Sequence, residues 1–87
     1  MTEAEKLRQA QDFITRELAQ KGGGRIDAIS WGRGPHNAAA GIHRLIVLRG
    51  GEKSIFTFTE YELLENYGSE EWEKELRAHV GEILMEF

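Results

Sequence analysis

The chain has 87 residues, no cysteine and a formal net charge of −4 at neutral pH. That length suits a single domain over residues 1–87 with a modest core, and the absence of cysteine excludes disulfides and thiolate zinc sites. No apolar run approaches membrane-spanning length and none opens the chain, so neither a signal peptide nor a membrane partner is expected, and the expected location is cytoplasmic.

The first predicted element is a helix. Thr2 followed by Glu5 fits a capping box. Leu7, Ala10, Ile14 and Leu18 then recur at helical spacing with Phe13 beside them, while Lys6, Arg8, Gln9, Asp12, Arg16 and Glu17 take the other sides. Lys21 sits at the C-terminal end, where a cation is favoured, and Gly22-Gly23-Gly24 stops the helix. Those glycines follow a helix instead of leading into one, and no Lys-Ser or Lys-Thr pair comes after them, so they do not read as a phosphate loop.

Arg25 to Trp31 reads as a first strand, with Asp27, Ile29 and Trp31 on one face and Ile26, Ala28 and Ser30 on the other. A glycine-rich connection follows, Gly32 to Gly41, holding the only proline. It is longer than a hairpin needs. Arg33, His36 and Asn37 near its tip are candidate contact residues.

Ile42–Arg49 and Glu52–Thr59 are rich in β-branched and aromatic residues and are separated by Gly50-Gly51, which predicts a tight hairpin with a primed turn. Counting outward from the turn, Arg49 faces Glu52, Val47 faces Ser54, Leu45 faces Phe56 and His43 faces Phe58. On the opposite face Leu48 meets Lys53, Ile46 meets Ile55 and Arg44 meets Thr57. The face with both phenylalanines is assigned to the core. The other mixes Ile46, Leu48 and Ile55 with Arg44 and Lys53, and is either covered by another part of the chain or offered to a partner.

Thr59 and Glu62 suggest a second capping box for a short helix carrying Tyr61, Leu63, Leu64 and Tyr67, ended by Gly68. Ser69 caps a longer one with Glu70 and Glu71 in its first turn. Trp72, Leu76, Val80, Ile83, Leu84 and Phe87 form its apolar stripe, and Phe87 suggests a docked end. Gly81 inside this helix suggests a close approach to the sheet. The expected fold is α+β: element order α-β-β-β-α-α, with a three-stranded antiparallel sheet and helices mainly on the face of Leu45, Phe56 and Phe58.

The charge is unevenly spread. Residues 21–53 sum to +4, whereas residues 54–87 carry nine glutamates against Lys74 and Arg77 and sum to −7. Attraction between the halves, or contact of one half with an oppositely charged partner, would each account for this.

No stretch carries a specific catalytic motif. His36, His43 and His79 show no ligand spacing, and Ser30, Ser54 and Ser69 lie in no nucleophile elbow. The core of some metal-dependent nucleases has the same element order, but Asp27 is the only acid inside a strand here, with Glu52-Lys53 at the turn. In topology alone, the chain resembles double-stranded-RNA-binding domains. Where those domains carry a lysine cluster, this chain reads Ser69-Glu70-Glu71-Trp72-Glu73, which repels phosphate. The expectation is therefore a non-catalytic domain without cofactor or metal, binding a protein partner or itself as a homodimer. Its candidate contacts are Arg33, His36, Asn37, Arg44, Ile46, Leu48, Lys53 and Ile55. The alternative is a nucleic-acid-binding accessory protein using Arg25, Arg33, Arg44, Arg49 and Lys53, with Trp31 nearby and the 32–41 loop.

Overall fold

The computed structural model describes residues 1–32 and 41–87. Helix α1 spans Glu3–Gly22. Thr2 Oγ1 accepts the Glu5 N–H at 3.1 Å, and the Glu5 carboxylate accepts the Thr2 N–H at 3.3 Å, so both arms of the capping box form. Ala10, Ile14 and Leu18 are buried along the inner stripe. Gly22 is buried too: a Cβ there would stand 2.2 Å from Ile26 Cδ1. Gly23 then turns the chain at φ +57°, a conformation that favours glycine.

The first strand is shorter than the apolar pattern suggests. Gly23–Arg25 form a 3-10 turn, in which Arg25 Nε donates to the Gly22 carbonyl, and strand β1 runs only over Ala28–Trp31. The glycines set this limit, since a chain turned at Gly23 cannot be extended by Arg25.

Strands β2 (Ile42–Arg49) and β3 (Glu52–Thr59) form the hairpin. Gly50 and Gly51 both have positive φ, as a primed turn requires. The pairing is the expected one at all seven positions counted out from the turn, and it extends to Ile42↔Thr59. β1 lies antiparallel on the other side of β2, with Ala28↔Leu48 and Trp31↔Leu45, so the sheet order is β1-β2-β3.

Helix α2 covers only Glu60–Leu64, stopping short of Tyr67. Asn66 adopts φ +56°, which breaks the helical path before Gly68. Thr59 Oγ1 accepts the Glu62 N–H at 3.1 Å, but the Glu62 carboxylate takes His79 Nδ1–H at 2.7 Å, so the second capping box has one arm only. Helix α3 spans Glu70–Leu84, with Ser69 Oγ accepting the Trp72 N–H. Phe87 lies beyond its end and is docked: its ring centre is 6.4 Å from that of Phe56 and 4.2 Å from the Arg49 guanidinium. Gly81 does not mediate a close approach, since no atom lies within 4 Å of a Cβ placed there.

The core lies between α1 and α3 on one side and the sheet on the other. Ile14, Leu18, Leu45, Val47, Phe58, Leu63, Leu76 and Val80 are fully buried there. The ring stacked on Phe58 is that of His79, at 4.0 Å, and not that of its strand neighbour His43. His43 instead donates from Nε2 to Glu60 and accepts from Gln11, tying the sheet to both α2 and α1. The smallest dimension of the molecule is 18 Å, the thickness of one helix layer on one sheet.

Candidate functional site

Strand alternation divides the sheet residues between two environments. Ile29, Trp31, Leu45, Val47, Phe56 and Phe58 point at the helices and belong to the core or pack against it. Ala28, Ser30, Arg44, Ile46, Leu48, Lys53, Ile55 and Thr57 point the other way. Apart from Ile46, which is half-buried, each of them is exposed. Ile55 keeps 52% and Leu48 39% of its surface in water, values that separate them sharply from Leu45 and Val47 at 0% on the same hairpin.

The register fixes the layout of this open face. Ile46 and Ile55 face each other at its centre, with Leu48 beside them on β2. Lys53 sits opposite Leu48 at the turn end, and Arg44 opposite Thr57 toward the other. Ala28 and Ser30 extend the face across β1 as small side chains, next to Leu48 and Ile46. The result is a shallow apolar triangle with a cation at two corners and no acid among the described residues pointing from it. Five of the expected contact residues (Arg44, Ile46, Leu48, Lys53 and Ile55) thus share one surface. Arg33, His36 and Asn37 lie outside the described residues.

The cations of this face have no ion-pair partner among the described residues. The pairs present are Lys21 and Arg77 with Glu17, His43 with Glu60, and His79 with Glu62. None joins Arg44 or Lys53 to the acidic C-terminal half, so attraction between the halves does not consume their charge.

Residues with chemical potential elsewhere have structural partners. The Asp27 carboxylate accepts the Gly50 N–H at 2.8 Å, anchoring the hairpin turn to the start of β1. Arg49 lies on the helix side against Phe87. Trp31 also faces the helices, and its Nε1–H donates to Thr15 Oγ1 at 2.9 Å. The basic residues of the sheet therefore do not form one surface with Trp31 among them. Among the described residues, no group of three or more His, Asp or Glu is placed to hold a metal ion, and no helix is long and apolar enough to cross a membrane.

A concavity lies on the helix side and was not apparent from residue spacing. Gln9, Asp12, Phe13, Arg16, Tyr67 and Trp72 line an open cleft of about 530 Å³. Phe13 and Tyr67 flank Trp72 with ring centres 5.2 and 5.0 Å away. The signal available in the sequence was Phe13, which falls beside the buried stripe of α1 and not on it. Comparison with protein-family models, curated proteins and solved structures gives no match.

Proposed function

We propose that this chain is a non-catalytic interaction domain that holds a protein partner against the open face of its sheet. The observation that carries this reading is the exposure of Ile55 and Leu48 around Ile46, on a face flanked by the cations Arg44 and Lys53, which have no ion-pair partner among the described residues. An apolar centre within a charged rim is the usual anatomy of a partner surface, and large exposed aliphatic side chains are costly to leave in water without a use. Complementarity asks for a partner surface with an apolar centre and acidic rim. The positions of Asp27, His43, His79 and Ser69, each engaged in holding a turn or helix, support a role without catalysis. A nucleic-acid role is less well supported, because Trp31, the aromatic that would stack on bases, faces the helices.

The test is comparative capture from a native lysate treated with nuclease. Tagged wild type, a Leu48→Glu/Ile55→Glu variant and a Tyr61→Glu control are compared, Tyr61 being 72% exposed on α2, outside the sheet. The reading expects a nuclease-resistant protein that wild type and Tyr61→Glu retain and the double variant loses. Equal capture by all three, or capture that disappears with nuclease, would overturn it.

A further inference from the structure

We infer that two copies of this chain pair through the outer edges of their β3 strands, joining two sheets into one continuous antiparallel sheet. The inference concerns backbone groups at an edge and does not depend on what docks on the open face.

The direction of the free groups follows from the ladder. The Leu48 and Arg44 carbonyls accept from Asp27 and Gly32, so these β2 residues turn their backbone groups toward β1. Alternation then makes Leu45, Val47 and Arg49 the residues that bond to β3. Their partners Phe56, Ser54 and Glu52 point inward, and Lys53, Ile55 and Thr57 present their N–H and C=O groups outward. No backbone partner meets these groups among the described residues.

Edge strands are usually blunted by charge, proline or a bulge. Here the ladder runs unbroken over eight pairs, and Ser54-Ile55-Phe56-Thr57-Phe58-Thr59 contains no charge, proline or glycine. The charges of β3, Glu52 and Lys53, are confined to its turn end. Phe56 points toward the helices yet is only half-buried. A neighbouring strand would complete its cover.

A second copy satisfies this edge with a closed two-fold arrangement. Centring the pairing on Ile55 sets Ile55 against its counterpart and Lys53 against Thr57 of the other copy. No like charges then face each other, and each facing pair exchanges both of its N–H···O bonds. The open faces become contiguous, with Ile46 and Ile55 of one copy in line with those of the other. Sliding the pairing toward the turn until Lys53 faces Lys53 would be repulsive, which disfavours that register against the Ile55-centred one.

Sedimentation equilibrium up to about 100 μM tests the association, and cross-linking tests the register in a chain with no cysteine of its own. Wild type is expected to double in mass. Thr57→Pro, which deletes an outward N–H without touching the β2–β3 ladder, is expected to stay monomeric with an unchanged circular dichroism spectrum. Ile55→Cys is expected to form a disulfide dimer on mild oxidation, since facing Cα atoms about 5.5 Å apart are within disulfide reach, while Thr57→Cys and Leu48→Cys are not. If Thr57→Pro fails to fold, the cysteine series decides alone. A wild type that remains monomeric, or a dimer that cross-links through Leu48→Cys and not Ile55→Cys, would overturn the inference.

Discussion

Leu45 and Leu48 offer a direct test of the two-faced sheet, because they are the same residue type on one strand pointing in opposite directions. Leu45 is fully buried between sheet and helices, whereas Leu48 is 39% exposed. Truncating Leu45 to alanine removes buried aliphatic carbon and leaves a cavity that the layer above can only partly fill. The expected cost is about 3 kcal/mol, within the usual range for such a change. Leu48→Ala leaves no cavity, since water already reaches the site. With partial cover lost and the unfolded chain also shielding some of the side chain, its cost is about 1 kcal/mol. A chain of this size has on the order of 4–13 kcal/mol in total, so the first change is severe and the second minor. Urea titration followed by tryptophan fluorescence and circular dichroism would resolve the two. In thermal melts the midpoint should fall by roughly 12–24 °C for Leu45→Ala and 4–8 °C for Leu48→Ala. Equal losses would mean that the second face is covered in the folded molecule, and the proposed site would fall with that result.

Two further changes probe the helix layer. Trp72 donates from Nε1 to the Leu63 carbonyl at 2.9 Å in a buried setting, so Trp72→Phe keeps much of the ring packing but strands that carbonyl. A loss of roughly 1–3 kcal/mol in urea unfolding is expected, and an unchanged midpoint would show that the bond contributes nothing net. Gly81→Ala should instead stabilise by about 0.5–1 kcal/mol, because the position is helical and open space surrounds the added methyl group. A destabilised variant would mean that something packs closely against Gly81 after all.

The parts of the fold that residue spacing fixed are those governed by short-range geometry. The Gly50-Gly51 turn sets the hairpin register outward over eight pairs, because both glycines supply the positive φ that a two-residue turn needs. The stripes of α1 and α3 were legible because burial follows helical periodicity. What spacing left ambiguous depended on longer range. Alternation places the start of β1 too early, at Arg25, because it continues back through Asp27 and Ile26, whereas Gly23–Arg25 form a 3-10 turn and pairing begins only at Ala28. Asp27 reads as the one acid inside a strand, yet it precedes β1 and its carboxylate serves the Gly50 N–H, a partner 23 residues away. His79 shows no ligand spacing, and only the docking of α3 across the sheet brings it onto Phe58. For the candidate site, alternation alone grouped Arg44, Ile46, Leu48, Lys53 and Ile55 on one side of the hairpin. Whether that side was covered depended on where the later helices packed.

The same packing gives the molecule electrical polarity. α2 and α3 carry their glutamates on the layer that covers one face, and Arg44 and Lys53 stand on the other with the sheet between. If the helices had crossed to the open face, those glutamates would lie within ion-pair reach of the two cations, and the aliphatic triangle would be core. Neither is so: the described ion pairs close among α1, α2, α3 and His43 on the helix side of β2. Apolar exposure and positive charge without an ion-pair partner among the described residues therefore have one cause, the confinement of α1, α2 and α3 to the phenylalanine side. An acidic-rimmed partner would relieve both at once. This predicts that salt weakens its binding without abolishing it, since screening reaches the rim charges but not the contact with Ile46, Leu48 and Ile55.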